Sequence, residues 1–576
     1  MVFSDRINES NGGAATSSND HTSEEEREQW GNRTQFLFAA IGSAIGVGNI
    51  LRFPVLVYRH GGLAFLVPYL LSLFLLGIPL LKLETGMGQL LQCGFVKGTA
   101  KVDKRSYGIG IMGTIVAGLV AWYYSVLMSW SWVYLVNSFR HPLPWDGGFV
   151  DAKLYFHKNV LNRNNSLYDG FGECYYPIVL GLMATWTCVY FSIWKGVKSM
   201  GMVLYVTIPL PFVLLFFLFM RGVTLPGAGE GLKFYMGRWD WTAYEDGSIY
   251  VEATSQIFFS LSLAQGIMQA YSSNNPRDSK YISNAWIIGI ANSSASIFAG
   301  FALFSTLGFL SRETKVPIER LAQPGFDLGF ITYPTAIAMF GPGWSQLFAI
   351  LFFATLLMLG IDSAFSLVEV LMSPLVDIYP KCKENRSVVA LILCLGFFLL
   401  SLVFATRGGF WALEIVDHYV ISYSVLAVGI LECILMMSSY GLKRFDKELK
   451  NWSDQGNGPV WFHSIWWFVP VILSMLLIYN FILEIIGKRP SAVETQPAWA
   501  VGIVGWILCV VLPFSVLPLG FIRPWRSSYL EKDESGSGNG NSLASADSLA
   551  TSQDHSSAPD EKKKLNTLRS LEMTTI

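Results

Sequence analysis

Apolar residues gather along this chain in long runs parted by short polar stretches. Each run is close to, or longer than, the roughly 20 residues an α-helix needs to cross a hydrocarbon core. They predict twelve spans, at 35–57, 63–85, 107–138, 174–193, 199–221, 251–271, 282–310, 344–379, 387–405, 411–440, 462–486 and 499–522. The longest predict tilt or projection beyond the bilayer. The ends of the chain break the pattern. Residues 1–28 are polar and contain no apolar h-region, so a disordered tail is expected there and not a signal peptide. Residues 526–576, rich in Ser, Gly and Asn with a basic cluster at Lys562–Lys564, predict a second tail. A membrane domain over 29–525 lies between them.

Basic residues set the expected orientation. Lys97, Lys101, Lys104 and Arg105 follow span two, and Lys195 and Lys198 follow span four. Lys381, Lys383 and Arg386 follow span eight; Lys443, Arg444, Lys447 and Lys450 follow span ten. The short odd-numbered exits carry fewer, such as Arg59 and Arg407. Cytoplasmic loops are the Lys/Arg-rich ones, so both tails are expected inside, with loop 139–173 outside. Asn164-Asn165-Ser166 in that loop is a candidate glycosylation acceptor. The sequons at Asn385 and Asn451 fall on the cytoplasmic side and are expected to be unused.

Composition agrees with a lipid solvent. Hydrophobic residues make up 52% of the 576 and charged residues 14%, against about 25% charged in a soluble domain. A net charge of −1 speaks against a nucleic-acid face. The seven cysteines show no CxxC spacing. Cys188, Cys394, Cys433 and Cys509 sit in apolar runs and read as small hydrophobes. Neither an HExxH motif, a Ser–His–Asp arrangement nor a nucleotide loop is present, and the seven histidines are scattered, so no enzyme is expected.

Two spans carry residues that suit lipid poorly. Span one contains Gly42-Ser43-Ala44-Ile45-Gly46-Val47-Gly48-Asn49, and span six contains Gln256 to Gly266, with Gln256, Ser260, Ser262 and Gln265 among them. Backbone that leaves a helix inside hydrocarbon must find other partners. A cavity holding ions and a solute supplies them: half-helix N-termini for an anionic group, freed carbonyls for cations. Close helix packing through small residues explains the same composition, and the sequence pattern by itself leaves both readings standing.

The run Ala44 to Pro54, with Gly61-Gly62 and Pro68-Tyr69, resembles the neurotransmitter:sodium symporter family (solute carrier family 6). So do Trp122-Tyr123-Tyr124 in span three, Gln256 to Ser262 in span six and Gly360-Ile361-Asp362-Ser363 in span eight. The resemblance covers about residues 27–522. It implies an all-α membrane protein of about twelve spans, a five-plus-five inverted repeat with helices one and six broken, working as a secondary active symporter by alternating access.

The resemblance also implies a set of sites. A first sodium ion would meet Ala44, Asn49, Ser260 and Asn292, and a second Gly42, Ile45, Leu359, Asp362 and Ser363. Oxygen ligands suit a hard cation, and an intramembrane carboxylate such as Asp362 is expensive unless paired. Chloride would meet Tyr69, Gln256, Ser260, Asn292 and Ser296; the absence of a Glu at 296 implies chloride dependence. The solute carboxylate would meet Tyr124 and the N–H groups of Val47 and Gly48. Its amino group would meet carbonyls of Ala44, Phe259 and Ser260, helped by Ser262. Val120, Gln265, Ser363 and Leu367 would shape the side-chain pocket. Gly46 stands where monoamine members carry an Asp, which points to a zwitterionic amino acid or derivative. Arg52 with Asp417 would form an outer gate, and Arg27 with Asp377 an inner gate near Trp30.

Some positions depart from the family pattern. Gln265 replaces an aromatic or small residue, Asn274 an inner-gate Tyr, and Leu51 a Trp common in animal members. Cys174 stands alone beside a loop where animal members carry a cysteine pair, so their disulfide is not expected. These departures suit nutrient or osmolyte uptake as well as signalling. A different class of function, a non-transporting sensor or membrane partner that retains the fold, would keep the same ligand sets as relics. The implied partners are lipid and a small solute.

Overall fold

The computed structural model describes residues 28–321, 325–522 and 525, and every regular element among them is helical. Ten helices are long and apolar enough to cross a membrane, and the bent pair Arg33–Ala44 and Val47–Arg59 makes an eleventh span. The twelfth place belongs to span six, in two short helices, Ser248–Ser260 and Ile267–Ser272. Its halves are too short and polar to register as one apolar rod, which is the property the sequence pattern singled out. The observed ends agree with the expected ones to within a few residues: span three is Tyr107–Asn137, span eight Trp344–Ile378 and span ten Gly409–Tyr440.

Burial sorts the spans. Spans three and eight pack along one another, and each meets span one or its neighbours at the centre of the bundle. Spans nine, eleven and twelve present mostly apolar side chains outward, such as Leu395, Ile478 and Ile507, as a face turned to lipid requires. Small residues allow the close approaches: a Cβ on Gly42 would meet Ile208 of span five, and one on Gly360 would meet Met128 of span three at 2.7 Å.

Two connections are more ordered than their polar flanks foretell. Loop 139–173 folds into a helix from Phe149 that continues to Val160. The link between spans seven and eight forms a buried helical segment, Leu328–Ala338. Phe330 and Phe156 stack 5.4 Å apart, and Trp130 and Tyr134 of span three close against both. Asn164, the glycosylation candidate, is used within this loop: its Nδ2, the atom a sugar would occupy, donates to the Gly170 carbonyl at 3.0 Å. The expected tails, 1–28 and 526–576, lie outside the described residues except for Glu28, and Arg27 lies outside them too.

Candidate functional site

Span one leaves the helix at Ile45 and Gly46, both extended (φ −93°, ψ 97° and φ −117°, ψ −168°), and resumes at a 52° angle. The freed Gly46 amide donates to Asn49 Oδ1 at 3.1 Å, and the Val47 amide donates to the Tyr124 hydroxyl at 3.1 Å. Span six breaks harder. Between its halves Ser262, Ala264 and Gly266 take left-handed φ values of 52°, 59° and 74°. A non-glycine residue there costs roughly 1–2 kcal/mol. A hydrogen bond to a charged group returns about 1.5–3 kcal/mol, and Ala264 N–H has a carboxyl partner, Glu84 Oε1, at 2.7 Å. The Ser262 hydroxyl donates to the Ser43 carbonyl at 2.9 Å and ties one break to the other.

A cavity lies between the breaks. Of the eleven residues implied for the solute, ten line it; Val47 touches it only through its amide to Tyr124. Ser43 and Ile267 line it too and were missed, because each is an ordinary residue whose role comes only from its place at the lip of a break. Gly46 forms part of the wall. A Cβ there would lie 2.9 Å from the Tyr124 hydroxyl and 3.1 Å from Ser363 Oγ. At the side-chain end Gln265 is buried, and among the described residues its amide makes no hydrogen bond.

Polar residues cluster on one flank. Asn49 Nδ2 donates to Asn292 Oδ1 and Ser296 Oγ, both at 2.8 Å, and lies 3.2 Å from Ser260 Oγ; Asn292 Nδ2 lies 2.7 Å from the same hydroxyl. Tyr69 donates to Ser293 Oγ at 3.1 Å, a residue outside the implied chloride set. Gln256 is fully buried, and neither end of its amide has a partner. Buried amides are normally satisfied, so an unpaired donor beside two hydroxyls fits an anion.

Asp362 is the strongest anomaly. It is fully buried, and neither carboxylate oxygen makes a close hydrogen bond, although the Thr207 hydroxyl lies beside the carboxyl. A Cβ built on Gly42 would come 3.4 Å from Oδ2, so the carboxyl faces span one just before its break. Ser363 Oγ donates to the Leu359 carbonyl at 3.3 Å, and Ile45 and Leu359 share a second, smaller cavity. An uncompensated buried charge costs several kcal/mol. Carboxylate, hydroxyl and freed carbonyls together make an all-oxygen donor set, which fits a hard monovalent cation. Among the described residues no cluster of His, Cys, Asp and Glu could hold a transition metal.

The two implied gates stand differently. Among the described residues Arg52 and Asp417 make no ion pair; Arg52 instead lies over the Phe259 ring, 5.9 Å from its centroid. At the other end Trp30 is buried, its indole N–H donating to the Tyr271 carbonyl at 2.9 Å, while Tyr271 donates to Ser366 at 2.6 Å. Asn274, the departure from a Tyr, serves through its backbone: its carbonyl accepts from the Trp30 amide at 3.1 Å. Asp377 accepts from the Gly94 amide at 2.7 Å. A nearby ion pair, Arg386 with Glu369 at 2.5 Å, was not anticipated. Its signal was a glutamate inside an apolar span. Trp30 is thus bonded in place while, among the described residues, the Arg52–Asp417 pair is unmade.

Family comparison agrees with this geometry. Residues 27–152 and 149–527 match the model of the sodium:neurotransmitter symporter family. The chain belongs to that family. Among its relatives is the sodium- and chloride-dependent GABA transporter 2 of Rattus norvegicus, 35% identical over 517 residues, 84% of this chain and 85% of the relative. The sodium- and chloride-dependent taurine transporter of Bos taurus is 34% identical over 526 residues, covering 84% and 83%. The sodium- and chloride-dependent neutral and basic amino acid transporter B(0+) of Mus musculus is 32% identical over 562 residues, covering 86% of each chain. This symporter-family member is therefore a multi-pass membrane transporter and not an enzyme.

Proposed function

We propose that this protein moves a zwitterionic amino acid or amino-acid derivative into the cell together with sodium, and that it requires chloride. The observation that carries the reading is Asp362: a buried carboxyl without a close hydrogen bond, set against the break of span one. Sodium is cargo here and also a strut. A cation held by Asp362, Ser363 and the carbonyls of Gly42, Ile45 and Leu359 joins span eight to span one. A second, on Asn49, Ser260, Asn292 and the Ala44 carbonyl, is completed by the solute's own carboxylate, so solute and ion bind better together. Tyr124 and the amides of Val47 and Gly48 hold the same carboxylate. Freed carbonyls of Ala44, Phe259 and Ser260 take the amine. Chloride on Tyr69, Gln256, Ser260, Asn292 and Ser296 balances the charge. We place the protein in the plasma membrane with both ends cytoplasmic. Closure of Arg52 onto Asp417 then shuts the outer side, and release of Trp30, with Arg27 and Asp377, opens the inner one. Uptake of a panel of labelled amino acids, betaine and taurine, with sodium or chloride replaced, tests this; uptake indifferent to sodium overturns it.

The name of the GABA transporter and that of the taurine transporter point to small ω-amino acids, and that of the B(0+) carrier to α-amino acids with larger side chains. Gln265 favours a solute that presents one more hydrogen-bonding group beyond its zwitterionic head. Gln265→Leu should favour apolar solutes over polar ones by about tenfold or more, because a site built for a hydrogen bond rejects partners that leave it unpaired. Equal loss for every solute would show that Gln265 only supports the fold. Ser296→Glu should relax the chloride requirement: a fixed carboxylate, on the residue whose hydroxyl now accepts from Asn49 Nδ2 at 2.8 Å, takes the anion's place. Uptake that still halts without chloride contradicts the anion site.

A further inference from the structure

Ion and solute sites leave two buried carboxyl groups unexplained. Glu84 of span two is 1% exposed and Glu432 of span ten 0%. Of their four oxygens only Glu84 Oε1 has a partner, the Ala264 amide at 2.7 Å; Glu84 Oε2 and both oxygens of Glu432 have none. They lie close enough for their charges to repel. Span ten reaches this point by packing on the break of span six: Gly429 sets its bare backbone on Phe258, and Val428 approaches Gly113 beside Phe95, which in turn covers Gly266.

Nothing cationic compensates the pair among the described residues. Lys82, two positions before Glu84, points away, with its ammonium over the Trp286 ring at 5.3 Å. Cys433, buried on Glu432's own helix, is a titratable neighbour that feels both charges. Span six faces the pair with the amide of Ala264 and no ionisable side chain between Leu261 and Gly266. Two carboxylates cannot both stay ionised in such a place, so at least one carries a proton. The single amide favours the charge on Glu84 and leaves the proton to Glu432.

We propose that Glu84 and Glu432 form a proton-binding site, closed in this conformation, that gives up its proton to the cytosol when the inner half of span six swings away and takes it back when that half closes. The link is mechanical. Glu84 holds Ala264, and Ala264 is the hinge between the outer half Ser248–Ser260 and the inner half Ile267–Ser272. Moving the inner half strips the amide from Glu84 and admits water to both groups. The proton leaves to water and returns from water on the same side, so no net proton crosses the membrane. Closing consumes a cytosolic proton, and turnover therefore falls as internal pH rises. This goes beyond the sodium-coupled reading, although it uses the same conformational cycle.

Two measurements on the full-length protein test it. In proteoliposomes with the outside held at about pH 7, internal pH is set between about 6 and about 9, and sodium-driven uptake is followed. Wild-type turnover should fall at least about threefold across that range, while Glu432→Gln, which mimics the protonated acid, should be flat with its sodium dependence kept. A flat wild-type profile, or an equal slope in Glu432→Gln, overturns the proposal. Should that variant fail to reach the membrane, purified wild-type protein moved to sodium-free medium should release about one proton per chain to an indicator dye, because removing the sodium strut frees the inner side. Release of none overturns it equally. Uptake independent of sodium would instead sink the sodium-coupled reading and leave the internal-pH comparison standing.

Discussion

Asp362→Asn should abolish sodium-coupled uptake, with a loss of at least about 100-fold, equivalent to about 2.7 kcal/mol. The change keeps the size of the side chain and removes only its charge. In the wild-type chain the carboxyl is enclosed by protein, makes no close hydrogen bond and has only the Thr207 hydroxyl beside it, so its ionised form depends on a cation that spans eight and one hold together. Asparagine offers one neutral oxygen to that cation and adds two donors with nothing to bond. A structural role predicts something different: if Asp362 were a buried neutral acid, the amide would substitute for it with little effect. Thermal unfolding separates the two. Sodium at about 100 times its dissociation constant should stabilise the wild type by about 2.7 kcal/mol through this site, and the variant should lose that part of the shift, keeping only what the site on Asn49, Ser260 and Asn292 contributes. An undiminished shift in Asp362→Asn contradicts the assignment.

Gly46→Asp should lower uptake of a zwitterion by more than about 1000-fold. Part of that loss is steric, since a Cβ at this position lies 2.9 Å from the Tyr124 hydroxyl. Gly46→Ala measures that part alone. The rest is Coulombic. The new carboxylate would stand beside the Tyr124 hydroxyl and the Val47 amide, where we place the solute's own carboxylate. Two like charges about 4 Å apart at an effective dielectric constant of about 20 repel by about 4 kcal/mol, close to three powers of ten in affinity. The aspartate variant should therefore lose far more than the alanine one. An amine of the same size without a carboxylate should be penalised only by the steric part. Equal losses for zwitterion and amine would mean that the carboxylate binds elsewhere.

The membrane class, the spans and the two weak helices were legible in the chain because each is a local property. Twenty apolar residues or a cluster of glycines in a span carry their meaning without knowledge of a neighbour. The family resemblance added site residues spread over spans one, two, three, six, seven and eight, and all eleven solute positions line the cavity or bond at its edge. What a sequence does not carry is pairing across the bundle. Tyr69 bonds Ser293, a residue outside the implied chloride set, a contact that only the side-chain direction settles. Glu369 reaches Arg386, and Glu84 reaches Ala264, across 17 and 180 residues of chain.

The state of the gates belongs to the same class. Arg52 and Asp417 have the charges of a pair, but the structure sets Arg52 on Phe259 while Trp30 is bonded in place at the far side. Composition by itself decided that this chain lives in lipid and marked two spans whose glycines and polar side chains suit lipid poorly; a backbone broken there needs partners, since hydrocarbon offers it no water. Which groups replace that water was decided only in three dimensions. Hydrogen bonds and ion contacts act over about 3 Å, and it is the packing of distant spans that brings an acid, an amide or an empty pocket within that reach.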